Sequence, residues 1–383
     1  MSLAPEDINE LQVVADAILD ANLERYQHFH DVNNAKVDSK SWKYIKSKDQ
    51  IKVYAERRQK RRRSTFPTSE AEPELQSMLC VGRTPGTLDD VMLGILSPTI
   101  ESTRTKTSFI DERSGSAVLA IAKAPTSEDP FQSIVVNWME LDIRRRSMGL
   151  VKNRDYIYVE ATGMNLMPNG GRLGYRLMHS VEFPQSHVLE GRVRAKLSVC
   201  CFFRQEDESS VSVYMMGMMD PMSDGVRRLV VPRFVKRMLS PLKYAHYGEV
   251  KKLTQALGER YAELKTLKTR DADHNCVACK KHLGRLGKLV GHHGTCKLCF
   301  KYVCNSCRVE KEMSFVTLDL KMTQRKVTFC PKCVNEVALD APPELPDVET
   351  RNQQVNYQRN NSVGSSVSSW GTILDNDPQP VSL

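Results

Sequence analysis

The sequence predicts an α+β protein: an antiparallel sheet gripped by a long C-terminal helix, then a small two-metal module and a disordered tail. Three observations carry this. Residues 115–219 read as alternating strands broken by short turn clusters. A long helical region follows, "GVRRLVVPRFVKRML" and then "SPLKYAHYGEVKKLTQALGERYAELKTL". Beyond it, eight cysteines in four C-x-x-C pairs fall within the 58 residues from Cys276 to Cys333.

Taken in order, residues 5–31 read as a helix, because Ile8, Leu11, Val14, Ala15 and Ile18 recur at helical spacing. "WKYIKSKDQIKVYAERR" turns toward strand, with Ile51 and Val53 on one face and Tyr54 on the other. "RRQKRRR" (57–63) and "STFPTSEAEPE" read as a solvated loop. "TLDDVMLGILS" is a short helix, with Thr87 as cap and Asp90 completing the capping-box pattern.

"SAVLAIAKA", "SIVVNWMEL" and "RDYIYVEATG" are β-rich. In "RVRAKLSVCCFF", Val193, Ala195, Leu197, Val199, Cys201 and Phe203 share a face. "SVSVYMMGMMD" aligns Val211, Val213, Met215 and Met219, with Gly217 between them. "MPNGG" and "RQEDESS" are the turns. In the closing helical region, Ser240 is placed to cap the second piece, and Pro241 suits its first turn. A sheet closed by one long helix is a helix-grip arrangement. The space beneath the helix can be solid core or ligand cavity, and periodicity does not separate the two.

Composition narrows the function classes. The chain has 383 residues, 40% hydrophobic and 26% charged. No apolar run nears the roughly 18 residues of a membrane helix. The N-terminus "MSLAPEDINE" is polar and acidic, unlike a secretory leader. The expectation is an intracellular protein, where clustered thiols bind metal rather than pair as disulfides. Only Cys80, Cys200 and Cys201 lie outside the cluster. No nucleophile–base pair, paired carboxylates or phosphate-cradling glycine loop stands out, so no enzyme is expected. His179 and His187 read as structural.

Charge is localised. Residues 268–333 hold fourteen Lys or Arg against five Asp or Glu, a surplus of +9 that equals the net charge of the whole chain. Eight thiolates and two Zn²⁺ ions would leave about +5, still suited to an anionic partner such as phospholipid head groups. Nucleic acid is not the expected partner, since only charge and residues 57–63 point to it.

"TPGTLDDVMLGILS", "VKNRDYIYVEATG", "HSVEFPQSHVLEGRVRAKLSVCCFF" and "VYMMGMMDP", followed by the long helix, resemble the START family of lipid-binding domains. The Arg154-Asp155-Tyr156 strand entry and the Gly191–Ala195 strand are the most telling pieces. The resemblance implies a tunnel under the C-terminal helix for one sterol, phospholipid or related lipid. The family also contains members with no known ligand.

The cysteine spacing is C-x2-C-x16-C-x2-C-x4-C-x2-C-x22-C-x2-C. Four thiolates complete a tetrahedral Zn²⁺ site, so eight make two closed, structural sites. Spacing alone leaves the pairing sequential or interleaved. All-cysteine ligands, the four-residue gap, and His292 and His293 before the third pair resemble a FYVE-type zinc finger. That family is cross-braced. The resemblance implies that Cys276, Cys279, Cys304 and Cys307 hold one zinc, and Cys296, Cys299, Cys330 and Cys333 the other. A START domain followed by such a finger also resembles a set of oomycete proteins.

The family's head-group motif departs here. The segment "KTRDADHNC" leading into Cys276 has no Trp, and Val290 and Gly291 replace two basic residues. Lys297 stands for Arg, Phe300 for Gly, and Thr328 for the Arg of the last motif. The remaining head-group candidates are Lys288, His292, His293, Lys297, Arg325 and Lys326. Candidates for membrane insertion are Leu286, Leu289 and Val290. The competing readings are surface histidines without a role, and loop leucines packing within a small core.

The expected limits are a lead-in over 1–49, a START-like domain over 50–265, a finger over 270–338 and a disordered tail over 339–383. The expected function is a non-enzymatic, lipid- or membrane-associated adaptor with two structural zinc ions. Its expected partners are a START ligand, anionic membrane with phosphatidylinositol 3-phosphate as one candidate, or a protein. Its expected location is cytoplasmic, peripheral on endosomal membranes. The alternative is a RING-like ubiquitin-ligase or protein-interaction module. A RING finger has a His among its ligands and a shorter central gap, which the all-Cys set disfavours.

Overall fold

The computed structural model describes residues 3–57, 75–110, 115–143, 149, 151–220, 224–264, 275–283, 293–316 and 322–339. Most of the basic run 57–63 and all of the tail after Leu339 therefore lie outside the described residues. The chain divides into two compact units, Met1–His246 and Tyr247–Leu383.

The first unit opens with α1 (Pro5–Asp31). Asp7 Oδ2 accepts from the Ala4 N–H at 2.9 Å and holds the first turn. Its buried stripe is Leu11, Ala15, Leu19, Asn22, Tyr26 and Phe29, at spacings of three and four. Of the expected stripe, Leu11 and Ala15 are buried, whereas Ile8, Val14 and Ile18 are half-buried at its edge.

Ten strands follow: β1 (Trp42–Lys48), β2 (Ile51–Glu56), β3 (Gln76–Pro85), β4 (Ser116–Lys123), β5 (Ser133–Leu141), β6 (Asn153–Leu166), β7 (Arg172–Ser180), β8 (Arg192–Arg194), β9 (Leu197–Asp207) and β10 (Ser210–Met219). They form one sheet ordered β1-β2-β3-β10-β9-β7-β6-β5-β4. Every pairing on that path is antiparallel, and β8 adds a short parallel pairing to the start of β6. The turn clusters act as expected. Asn169 Oδ1 accepts from Gly171 N, and Gly170 takes φ 77° between β6 and β7. Asp207 binds Ser209 and Ser210 between β9 and β10.

Period-two alternation gives the sheet two apolar faces. On one, Ile51, Val53, Leu197, Val199, Cys201, Phe203, Val211, Val213, Met215 and Met219 join a single buried cluster. On the other, Leu79, Ile157, Val159, Leu177, Phe202 and Tyr214 pack against α1. Tyr26 of α1 lies 5.1 Å from the Phe202 ring and 5.5 Å from Tyr214, centroid to centroid.

The first face is covered by helices. In α2 (Leu88–Ile95), Thr87 Oγ1 accepts from Asp90 N at 3.2 Å. The Asp90 carboxylate answers by accepting from the Thr87 hydroxyl, at 2.7 Å, rather than from its N–H. The helix sits close to β7 because Gly174 has no side chain: a Cβ there would lie 2.5 Å from Met92 Sδ. Helix α3 (Ile100–Ile110) was not expected from sequence. Five of its eleven residues are Ser or Thr, types that favour turns over helix interiors. Their hydroxyls bond back to its own carbonyls, as Thr107 does to Thr103 at 2.8 Å.

The closing element is bent. Helix α4 (Asp224–Met238) runs through Pro232, a 3-10 turn spans Ser240–Lys243, and α5 (Tyr244–Leu264) follows. The expected Ser240 cap is corrected here. Leu239 is the residue flanking that turn, and the Ser240 hydroxyl instead lies 2.6 Å from the Tyr244 hydroxyl. Pro241 does sit in the first turn. Among the described residues, no helix is long and apolar enough to cross a membrane.

The second unit holds most of α5, the ribbon β11 (His293–Thr295) with β12 (Tyr302–Cys304), the ribbon β13 (Val309–Val316) with β14 (Met322–Phe329), and α6 (Pro331–Leu339). Polar contacts tie the α5 stem to the finger. Lys311 pairs with Glu249 at 3.0 Å, Lys252 donates to Ala338 O, and Arg260 donates to Leu298 O.

Candidate functional site

Two sites emerge, one in each unit. The first is a cavity of about 100 Å³ between the sheet and the helical cover of the first unit. Its walls are largely apolar, with Met139, Met178, Met215, Met219, Phe234 and Met238 among them. Unbranched methionines make such a wall adaptable in shape.

A charged cluster projects into this apolar space. Glu160 of β6 points to the cavity face because it alternates with Ile157, Val159 and Ala161 on the opposite face. Arg176 of β7 shares its face with Met178. Arg176 Nε donates to Glu160 Oε1 at 2.7 Å, and Arg176 Nη1 donates to the Tyr244 hydroxyl at 2.7 Å. Lys106 of α3 donates to Glu160 Oε1 at 3.3 Å and to Ile95 O at 2.6 Å. Asn137 of β5 donates to Glu160 Oε2 at 3.0 Å. Side chains from α3, β5 and β7 thus meet on one carboxylate of β6, and the start of α5 joins them through Arg176.

Electrostatics follow from this geometry. Burial alone would raise the Glu160 carboxyl. The Arg176 and Lys106 charges and their hydrogen bonds outweigh it and hold the group down at about 2. Glu160 raises Arg176 in turn, although burial opposes it. Cys201, on the same wall, is pushed up to about 12 by burial.

The cluster was not found from sequence. Its signal was present: Glu160 interrupts the inward set of "RDYIYVEATG", and Arg176 that of "RLGYRLMHS". A charge at an inward strand position needs a partner, and these two stand on neighbouring strands. Lys106 carried no such signal, because α3 itself was not expected.

The second site is a pair of four-thiol clusters. Cys276, Cys279, Cys304 and Cys307 form one, and Cys296, Cys299, Cys330 and Cys333 the other. Within each, all ligand atoms lie within 4.8 Å of one another. This grouping is interleaved, as the cross-brace resemblance implied. Both halves use the same knuckle. Lys280 N bonds to Cys276 O, and Phe300 N to Cys296 O, each at 2.9 Å. Lys280 and Phe300 take left-handed φ of 62° and 59°. Phe300 thus occupies a conformation that favours glycine, where the FYVE pattern has one.

The thiols fit zinc. A tetrahedron with Zn–S bonds of about 2.3 Å has edges of about 3.8 Å. Cys279 and Cys304 sulfurs are 3.8 Å apart, and those of Cys299 and Cys330 are 3.9 Å apart. Burial would raise Cys276, but backbone N–H groups of the knuckle bring it down to about 6. The Cys299 thiol, donating a hydrogen bond, brings Cys296 to about 5. Cys307 and Cys333 are pushed up to about 12. A cluster without a cation therefore resists holding all its thiolates, and a bound Zn²⁺ would reverse that.

The head-group candidates separate on the finger. Lys288 and His292, with Leu286, Leu289 and Val290, lie outside the described residues. His293 opens β11, opposite Cys304. The Lys297 N–H donates to Thr328 O at 3.0 Å, which joins the second knuckle to β14. Lys326 and Thr328 share one face of β14, and Arg325 alternates to the other. Directly across the ribbon, Lys326 meets Glu312 and Thr328 meets Glu310. The position where the family pattern has Arg is therefore faced by a carboxylate, itself 3.3 Å from Arg308.

No family model matches the sequence, and no curated protein matches it. Solved structures do. Human STARD10 matches at 13% identity over 63% of this chain and 84% of its own, with a TM-score of 0.36. Human StAR-related lipid transfer protein 5 matches at 16% over 61% and 97%, with a TM-score of 0.37. A STAR-related lipid transfer protein from Xanthomonas axonopodis matches at 14% over 54% and 96%, with a TM-score of 0.34. The helix-grip assignment rests on the strand order and the bent closing helix.

Two predictions follow from these sites. Arg176→Met should cost about 3–5 kcal/mol, because it strips a buried carboxylate of its main partner. The urea midpoint should fall with an unchanged slope. Adding Glu160→Leu and Lys106→Met should recover most of the loss, since an apolar replacement leaves no buried charge. The Glu160 contribution should be complete above pH 4.5 and disappear as pH falls toward about 2, because its folded value is the depressed one. Glu160→Gln should remove that acid-side dependence.

Elemental analysis should give two zinc ions per chain, and one or none would defeat the two-site assignment. Cys276→Ser should unfold the finger but leave the circular dichroism of the first unit nearly unchanged. Its two core clusters contain no residue beyond Ala245.

Proposed function

We propose that this protein is a non-enzymatic, zinc-containing lipid-binding adaptor. The first unit would hold one amphipathic lipid, with its polar end at Glu160, Arg176 and Tyr244 and its apolar part along the methionine wall. The observation that carries this is a charged, hydrogen-bonded cluster set in a cavity whose wall is largely apolar. A fold seeking stability alone gains little from a buried ion pair, and an apolar replacement often does as well. A polar foot in an apolar pocket is how small-molecule sites fix orientation.

The cavity's size adds a constraint. At about 100 Å³ it is smaller than the roughly 300–1,000 Å³ of drug-sized sites. It accommodates the polar end of a lipid, and the rest requires the helical cover to shift. Helix α3 is the element suited to move, since its only buried side chain among those described is Lys106. The adaptor reading also agrees with the chemistry of the wall. The Cys201 thiol stays protonated, and a thiol is a poor nucleophile.

The finger, with its two zinc ions supplying on the order of 10 kcal/mol or more each to folding, would contact anionic membranes through net charge. Glu310 and Glu312 opposite Thr328 and Lys326 weigh against a pocket built for one phosphoinositide.

Mass spectrometry of lipid extracted from the purified full chain tests the cavity. One lipid class near one molecule per chain is expected. It should be lost from the Glu160→Leu/Arg176→Met/Lys106→Met variant, and a lipid-free wild-type protein would reject the reading. For the finger, Lys326→Glu should weaken sedimentation with phosphatidylinositol 3-phosphate and phosphatidylserine vesicles alike. Raising salt from about 0.1 M to 0.5 M should nearly abolish binding, because the screening length falls from about 10 Å to under about 5 Å. A salt-resistant preference for the 3-phosphate would show a selective reader instead.

A further inference from the structure

Among the described residues, one edge of the large sheet carries a feature that neither the cavity nor the finger uses. Strand β1 is the terminal strand, and every residue of it after Trp42 is exposed. Residues 40–57 hold six Lys or Arg against two Asp or Glu. Strict alternation would put Lys43 on one face of β1, and Lys46 and Lys48 on the other. The register does not run that way. It shifts between Tyr44 and Lys46, so a β-bulge falls at Ile45.

The bulge brings the lysines into phase. Lys43 lies opposite Ala55, Lys46 opposite Val53, and Lys48 opposite Ile51. Directly paired residues share a face. Ala55, Val53 and Ile51 all belong to the same buried cluster, so the three lysines form one row along the rim of that face. Among the described residues, none of the three makes an ion pair.

We infer that this row is a docking surface for an anionic lipid bilayer, separate from the finger. The physical argument is charge complementarity on one plane. Each cation near an anionic membrane surface gains about five-fold in binding, provided that the cations face the same way. The bulge supplies that condition. It also argues against an acidic peptide adding as a further strand, because a bulge interrupts the regular edge that strand addition needs. Ile45 at the bulge, exposed at 39%, gives this edge an apolar group for the head-group boundary, whereas Tyr44 pairs with Tyr54 and lies on the other face.

A simpler role competes. Edge lysines can act only to block edge-to-edge pairing of sheets. The two roles predict different behaviour for one variant. The full-length Lys43→Gln/Lys46→Gln/Lys48→Gln protein would be compared with Lys36→Gln/Lys123→Gln/Lys196→Gln, which loses equal charge elsewhere on the first unit. Both would be sedimented at low salt with phosphatidylcholine vesicles, with and without phosphatidylserine, and their self-association followed by sedimentation velocity.

The edge variant should lose binding to the phosphatidylserine vesicles by on the order of 100-fold, and the control variant much less. Equal losses in the two would overturn the inference. So would an edge variant that self-associates yet binds vesicles as the wild type does, since its lysines would then only guard the edge. Lys326→Glu on the finger separates the two surfaces. If it alone abolishes binding while the edge variant binds normally, the edge inference fails and the finger reading stands.

Discussion

A long antiparallel sheet with two apolar faces must be covered on both of them. That constraint organises the first unit. Residues two apart along β2, β9 and β10 send Ile51, Val53, Leu197, Val199, Val211 and Val213 to one side, and Phe202 and Tyr214 to the other. Helix α1 covers the second face with a single continuous stripe. The first face is wider than one helix can cover, and α2, α3, α4 and the 3-10 turn share it. Covering by several short pieces leaves gaps that a single core helix would not, and the cavity is the gap that remains.

Within that gap, Glu160 governs what the cover can do. It lies on a central strand, where it must be ionised and paired, or neutral and costly. Arg176 supplies the pairing from the next strand, Asn137 from the strand on the other side, and Lys106 from the cover itself. The last contact has a mechanical consequence. Helix α3, poor in helix-forming residues and with little apolar anchoring, is held partly by Lys106 on the carboxylate and on Ile95 O. A ligand whose polar group competes for Glu160 would therefore act on the element that encloses it. Site chemistry and lid stability are coupled through one side chain.

The second unit solves a different problem. Beside buried apolar side chains such as Met313, Phe315, Val327 and Phe329, it holds two four-thiol clusters able to take metal. Interleaving the two sites is what makes this effective. The pair Cys304 and Cys307 closes back onto the first knuckle, and Cys330 and Cys333 close onto the second, so each cluster gathers segments distant in sequence, which a bound ion would tie together. Two sequential sites would staple only local loops. The β13–β14 ribbon carries the chain between the third and fourth cysteine pairs, and its carboxylates set the charge character of the face beside the second knuckle.

Much of this was legible in the sequence because it depends on local rules. Alternation set the faces of β2, β9 and β10. The 27-residue helix at the start showed its period but only Leu11 and Ala15 of its buried stripe, Thr87 showed its cap, and the cysteine pairs their capacity for metal. These follow from side-chain period, cap chemistry and ligand type, which neighbours in the chain determine. What only the tertiary structure decided depends on residues distant in sequence. The interleaved pairing of the thiols brings Cys276 to Cys304, and Cys296 to Cys330. The meeting of Lys106, Asn137, Glu160, Arg176 and Tyr244 requires the strand order β7-β6-β5 and a helix that propensity argues against. The alignment of Lys43, Lys46 and Lys48 needs a bulge at Ile45, and a register shift is a property of two paired strands, not of one.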